Sequence, residues 1–172
     1  MMHKTSPLAK VRSFALLAWF IGIPPLYAQN PPDVSLADTL KVSQAFETVA
    51  NRALAAMQKR AAELNIKGVA VVSCSEGDTV TAWSSKMFVV GNLKTSGGNL
   101  LAIAYSKASE MADTLKASGS GIRPPIKGEY GYQGGVIAKG KTGWLIVAFS
   151  GGKSADDVKI SQAGLDELAQ TL

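Results

Sequence analysis

The sequence predicts an α+β fold in which an antiparallel sheet of about five strands packs against helices. Three observations lead to this prediction. Apolar residues recur at helical or strand-like spacing in the order helix, two strands, helix, two or three strands, helix. The strands come in pairs joined by short turns, which favours antiparallel pairing. Each helix carries a single apolar stripe, and such a stripe is buried against another element.

The first helix is predicted from Leu36 to Leu64, where good helix formers surround one apolar stripe. The stripe consists of Phe46, Val49, Ala53, Met57 and Leu64. Val69 to Ser75 is a β-branched run without charges, as expected of a buried strand. Glu76-Gly77-Asp78 has the composition of a hairpin turn, and residues 79–90 alternate well enough to form a second, more exposed strand.

The second helix is predicted to begin at residues 96–99, with Ser96 or Asn99 as its N-cap, and to end before Gly119. Its buried face comprises Leu101, Ala104, Ala108, Met111 and Leu115. Residues 135–139 and 144–150 are predicted to form two strands joined by a glycine-containing turn. Ser154 and Asp157 have capping-box spacing at the start of the last helix. Its apolar stripe is Val158, Leu165, Leu168 and Leu172.

Residues 1–28 are typical of a secretory signal peptide. Basic residues precede an apolar core from Phe14 to Ile23, a Pro-Pro pair breaks the core, and Ala28 offers a small residue for cleavage. A membrane span needs about 18 or more apolar residues, so export is favoured over a membrane anchor. Residues 29–35 are then an N-terminal tail and residues 36–172 a single domain. We expect a periplasmic or secreted protein with no membrane span after leader removal.

Removal of the leader limits the chemistry of the mature chain. Three of the 18 basic residues and none of the 13 acidic residues lie in the leader, so the formal charge falls from +5 to +2. Nucleic-acid binding therefore loses its main support. His3 is the only histidine, so a Ser-His-Asp triad and the usual zinc sites are excluded, and we predict no metal site. Cys74 is the only cysteine, and its strand-like surroundings favour a buried small apolar residue.

Short motifs in a fixed order give the chain a resemblance to the GlcG/HbpS-type haem-binding family. The matching motifs are Ala70-Val71-Val72, Lys86-Met87, Lys107-Ala108, Gly134-Gly135 and the closing motif Phe149-Ser150-Gly151-Gly152 with Asp157 and Ala163-Gly164. Ser73 stands where the family has an acidic residue. The resemblance implies a profilin-like sandwich, a homo-oligomer and a small-molecule ligand, with haem or a related tetrapyrrole as the first hypothesis.

The segment from residue 119 to 135 combines glycines, prolines, aromatic hydroxyls and cations. A haem needs cations for its propionates and commonly an axial ligand, which without histidine falls to Tyr, Met or Cys. The predicted cofactor-binding residues are Arg123, Lys127, Tyr130 and Tyr132 in this segment, together with Met87 and Lys107. Lys107 is included because of its family counterpart. The alternative, in which both tyrosines only pack the segment onto the sheet, stays equally open.

A second hypothesis concerns Ser150, Gly151 and Gly152, which precede the last helix. Amide groups at a helix start can hold a carboxylate or phosphate, although a tight strand-to-helix turn explains the same small residues. Such a site would suit a periplasmic enzyme or accessory protein acting on a small organic acid. Catalysis is the less favoured reading, because the mature chain lacks histidine and a carboxylate pair suited to acid–base work. A structural oligomer or partner-binding module is the third hypothesis.

Overall fold

A four-stranded antiparallel sheet with helices on both faces forms the centre of the fold. The computed structural model describes residues 36–172, so the predicted leader at 1–28 and tail at 29–35 lie outside the described residues. In chain order the elements are α1 (Leu36–Glu63), β1 (Gly68–Glu76), β2 (Trp83–Val90), β3 (Lys94–Thr95), β4 (Gly98–Asn99), α2 (Leu100–Thr114), β5 (Gly135–Lys139), β6 (Gly143–Ser150) and α3 (Ser154–Ala169).

The strand order in the sheet is β2-β1-β6-β5, and every neighbouring pair is antiparallel. The α+β sandwich predicted from the sequence is therefore confirmed. The sheet has four strands rather than about five. β3 and β4 form a separate two-stranded ribbon, and residues 116–134 contribute no strand. That segment is rich in glycine and proline, which suit irregular backbone better than a ladder.

Side-chain alternation assigns the two faces of the sheet to different helices. Ala70 and Val72 of β1 belong to a cluster with residues of α1 and α3, whereas Val69 and Val71 pack against α2. Successive strand residues point to opposite faces, so a strand covered on both sides must be apolar throughout. This requirement explains the uncharged β-branched run in β1 and the apolar run in β6.

Helices α2 and α3 differ in how their amino-terminal ends are capped. Asn99 caps α2, because its Oδ1 accepts the amides of Leu101 and Ala102 at 3.0 and 3.1 Å. The capping box predicted for α3 is wrong: Lys153 is the N-cap residue, it makes no side-chain cap bond, and Ser154 is already helical. Asp157 is buried instead, and its carboxylate bonds to Lys107 and to the amide of Gly152.

None of the helices within residues 36–172 has the length and apolar character needed to cross a membrane.

Helices α1 and α3 touch closely where Gly164 faces Met57. A Cβ atom on Gly164 would lie 2.7 Å from both Cγ and Sδ of Met57, whose side chain is fully buried. The glycine in the Ala-Gly pair of α3 is therefore explained by packing. The neighbouring helix occupies the space in which a side chain would stand.

This packing predicts that Gly164→Ala lowers the free energy of unfolding of the wild-type protein but raises it when Met57 is replaced by alanine. In the wild-type protein, overpacking costs about 1–3 kcal/mol and outweighs the roughly 1 kcal/mol by which alanine is the better helix former. In a Met57→Ala background the clash with Met57 is gone, and Val147 Cγ1, which would lie 3.1 Å from the new Cβ, can shift into the space that Met57 leaves. Gly164→Ala should therefore raise the free energy of unfolding by about 1 kcal/mol there. Urea denaturation of the four proteins measures both effects. The same sign in both backgrounds would contradict the packing account.

Candidate functional site

A cavity of about 200 Å³ lies where β6 gives way to α3. We name it the β6–α3 cavity, and its lining residues include Thr95, Ile103, Lys107, Tyr132, Ser154 and Asp157. They come from the β3–β4 ribbon, helix α2, the 116–134 segment and the start of α3. Hydroxyl groups and an apolar side chain of α2 thus surround a buried charged pair.

Lys107 and Asp157 form that buried pair. The Nζ of Lys107 donates to Asp157 Oδ2 at 2.8 Å and to the carbonyl oxygen of Phe149 at 2.7 Å. Both residues are 3% exposed. Burial is the main influence on each group: it lowers the pKa of Lys107 and raises the pKa of Asp157, while the attraction between the two charges opposes both shifts.

Gly134 makes room for this lysine. A Cβ atom on Gly134 would collide with the Nζ of Lys107 and would lie 2.7 Å from Cβ of Asp157. The residue also has φ +129°, a conformation that side chains disfavour. Its carbonyl oxygen accepts the hydroxyl of Ser161 at 2.6 Å. Gly134 therefore ties the end of the 116–134 segment to α3 while leaving space for the ammonium group.

The turn at Ser150, Gly151 and Gly152 binds a carboxylate of the same chain. The amide of Gly152 donates to Asp157 Oδ1 at 2.8 Å. The amides of Gly151 and Gly152 both favour the charged carboxylate, which opposes the rise in the pKa of Asp157 that burial causes. A Cβ on Gly151 would lie 2.7 Å from Cα of Gly68, so close strand contact requires glycine here as well. Asp157 thus occupies the position that a bound anion takes at such a turn.

Two lysines stand beside the cavity. Lys94 precedes the lining residue Thr95, and Lys153 lies between the lining residues Gly152 and Ser154. Both side chains are exposed, and among the described residues neither takes part in an ion pair. Both lysines are therefore neighbours of lining residues in the chain, although their side chains do not line the cavity itself.

Helix α2 holds the 116–134 segment in place. Ser106 Oγ accepts the amide of Tyr130 at 3.0 Å, and Glu110 Oε1 accepts the amide of Gly119 at 2.8 Å. Glu110 Oε2 is the one buried side-chain polar atom without a hydrogen-bond partner among residues 45–172, the range over which side chains are described. Anchors at both ends of the segment give its exposed side chains a defined position despite the glycines.

Arg123 is committed to partners within the chain. Its guanidinium donates to Asp113 Oδ2 at 2.6 Å and to both carboxylate oxygens of Glu129, at 2.7 and 2.8 Å. The hydrogen bonds from Arg123 lower the pKa of Glu129 to about 2. The hydrogen bonds to Glu129 and Asp113 in turn raise the pKa of the guanidinium. Of the two cations predicted for this segment, Lys127 is the one left exposed without an ion pair among the described residues.

Tyr130 and Tyr132 form a stacked pair with ring centroids 5.5 Å apart and planes inclined by 26°. They are 50% and 51% exposed, so neither ring serves mainly to pack the segment onto the sheet. Tyr132 also lines the β6–α3 cavity. The tyrosine pair and the cavity are therefore neighbouring parts of one surface.

Met87 lies apart from this surface. It is in β2 and packs, partly buried, with Tyr105 and the cluster formed by Val69 and Val71 on the α2 side of the sheet. Nearby, Ser85 Oγ accepts the hydroxyl of Ser73 at 3.1 Å and contacts the hydroxyl of Tyr105 at 3.0 Å. Met87 does not line the β6–α3 cavity, whereas Lys107 and Tyr132 among the predicted cofactor-binding residues do.

Comparisons with known proteins support the fold. No family model and no curated protein matches the chain. The crystal structure of Klebsiella pneumoniae protein ORFY, assigned to DUF336, has a TM-score of 0.52 and 17% identity, covering 70% of this chain and 87% of that chain. A crystal structure of a PduOC–haem complex has a TM-score of 0.48 and 16% identity, covering 78% and 94% of the two chains. The chain therefore has the fold of a DUF336 protein.

The ion pair at Glu129 predicts a pH-dependent contribution to stability. Because the pKa of Glu129 is lowered from 4.5 to about 2, its stabilisation is present above pH 4.5 and is lost as the pH falls towards 2. Wild type should therefore exceed Glu129→Gln in free energy of unfolding at pH 6, with the gap closing towards pH 2. Denaturation between pH 2 and 6 measures the gap. Glu63→Gln, in an exposed pair within α1, is the control, and an equally large gap there would count against the assignment.

Proposed function

We propose that this domain binds a small molecule that carries carboxylates, and that the ligand is haem or a related tetrapyrrole. One observation carries the proposal: Tyr132 belongs both to the wall of the β6–α3 cavity and to the exposed tyrosine pair. A polar cavity beside cations and an aromatic surface matches a flat ring with acidic side groups. The resemblance of the sequence to the GlcG/HbpS-type family points the same way.

The size of the cavity limits how such a ligand would sit. A volume of about 200 Å³ is below the roughly 300–1,000 Å³ of sites that enclose a drug-sized molecule. The cavity therefore suits a carboxylate group, and the ring would lie outside it, against Tyr130 and Tyr132. Exposed apolar side chains of the same segment, Ile122 and Ile126, extend the surface that a ring or a second protein molecule would cover.

The charges favour lysine over arginine as the partner of the carboxylates. Arg123 is already bonded to two acidic residues, so withdrawing it would leave Glu129 without its partner. Lys94, Lys153 and Lys127 carry no such commitment among the described residues. We therefore assign the neutralising role to these lysines, and Arg123 becomes a residue that shapes the segment.

Residues that fit the iron of a haem are also present on this surface. When bound, the group supplies an iron centre that accepts an axial ligand such as a phenolate oxygen. The described residues include no histidine, and this surface offers two phenol groups, those of the lining residue Tyr132 and of its exposed neighbour Tyr130. We propose further that the protein is exported by its leader and acts in the periplasm or outside the cell as a homo-oligomer.

The second candidate ligand is a small organic acid, and the cavity volume favours it. An acid of a few heavy atoms would fit inside, with Thr95 and Ser154 as hydroxyl donors and with Lys94 and Lys153 as the cations next to them in the chain. In that case the tyrosine pair would have no role in binding. A thermal-shift screen of short carboxylates separates the two candidates, because stabilisation by an acid and not by hemin would favour the second.

Hemin titration of the purified protein tests the first candidate. Lys94→Gln with Lys153→Gln should weaken hemin binding about tenfold at low salt, since a loss of roughly 1.4 kcal/mol corresponds to that factor. Tyr130→Phe with Tyr132→Phe should remove the spectral signature of phenolate ligation while leaving the melting temperature unchanged. Soret absorbance measures both.

Lys116→Gln is the matched control for the lysine variants. It removes one exposed lysine just beyond the carboxyl end of α2, whereas the cavity contacts the amino-terminal half of that helix. Hemin affinity should not change in this variant. A Soret band that responds no more than with an unrelated protein would refute haem binding. Affinity unchanged in both the lysine and the tyrosine variants would move the site elsewhere, with the surface around Met87 next to be tested.

A further inference from the structure

Lys107 places a buried amine beside a carboxylate at the wall of the cavity, and reversible binding of a ligand does not require this arrangement. It is 3% exposed and still lines the β6–α3 cavity, with a carboxylate 2.8 Å from its Nζ. Surface lysines are fully protonated at neutral pH and react poorly, whereas a desolvated lysine beside a proton acceptor is the arrangement found in lysines that attack carbonyl groups. Burial lowers the pKa of Lys107, which increases the fraction of uncharged amine.

We propose that Lys107 captures small carbonyl compounds that enter the cavity, as an imine on its Nζ. Asp157 takes a proton from the ammonium group, and the amine then attacks the carbonyl carbon to form a carbinolamine. As the carbinolamine forms, a proton moves from the attacking nitrogen to the oxygen, and Asp157 then gives its proton to this hydroxyl group, which leaves as water. The net change replaces the C=O double bond by a C=N double bond and releases one molecule of water, with no oxidant or reductant required.

The buried charges survive this reaction. The product is a protonated imine, which keeps the positive charge of Lys107 and one N–H group to donate to Asp157. The bond to the carbonyl oxygen of Phe149 is given up. Because Asp157 stays paired, capture avoids the large cost of leaving a buried carboxylate alone. An acylating reagent, which turns the amine into a neutral amide, would not have the same advantage.

The surroundings favour a 2-oxo acid over a simple aldehyde or ketone. A carboxylate next to the carbonyl group would meet Thr95 and Ser154, which line the cavity, and Lys94 and Lys153 are the neighbours of these residues in the chain. This inference rests on the proposed function, because it uses the same cavity and the same cations. It adds a covalent step on a residue that reversible binding leaves in a structural role.

Reductive trapping tests the imine directly. The purified protein is incubated with pyruvate or glyoxylate and cyanoborohydride, and the adduct is located by peptide mass mapping. We expect one saturable adduct on Lys107, formed faster with these acids than with acetone or acetaldehyde of similar size. Lys107→Arg keeps the charge and the partner Asp157 but cannot form an imine, so it should lose this adduct.

The possible outcomes separate the imine from the proposed function. Adducts only on exposed lysines such as Lys94 and Lys153, or none at all, would overturn the imine. The same acids are tested by thermal shift without reductant, so intact reversible binding in that case would leave the cavity site standing. If Lys107→Arg fails to fold, the adduct map of the wild-type protein decides alone, because Lys107 must carry the modification.

Discussion

The buried ion pair between Lys107 and Asp157 is the constraint on which the rest of the site depends. Two charges removed from water are stable only when every remaining donor and acceptor is satisfied. Here the carbonyl oxygen of Phe149 and the amide of Gly152 complete the arrangement, and Gly134 leaves the space that the ammonium group fills. The pair therefore joins α2, β6, the β6–α3 turn and α3 at one point, beside the cavity.

Helix α2 connects this pair to the exposed surface. Lys107 lies between Ser106, which holds the amide of Tyr130, and Glu110, which holds the amide of Gly119. The same helix thus fixes the polar wall of the cavity and the segment that presents the tyrosine pair. A rigid helix that positions both halves explains how a glycine-rich segment can offer a defined surface for a ligand with acidic and aromatic parts.

Local patterns in the sequence were enough to predict the sandwich, the strands from residue 135 to 150 and an N-cap at Ser96 or Asn99, of which the structure uses Asn99, because neighbouring residues determine these features. The roles of Asp157 and Arg123 were not predictable in this way. The capping-box spacing suggested that Asp157 pairs with Ser154, whereas its partner is Lys107, which is distant in the chain. The tyrosines near Arg123 suggested a ligand-binding role, whereas its guanidinium bonds to Asp113 and Glu129. One signal was available: Lys107 falls on the apolar stripe of α2 between Ala104 and Met111, and a lysine buried there requires an acidic partner.

The central claim, that this ion pair holds the site together, is tested most directly by a double-mutant cycle on the free energy of unfolding. Lys107→Met and Asp157→Leu should each cost about 3–5 kcal/mol, because each leaves a buried charge unpaired. The double variant should cost less than the sum of the two by about 2–3 kcal/mol, since no buried charge remains. Additive costs would show that the two side chains act independently and would contradict this account of the site.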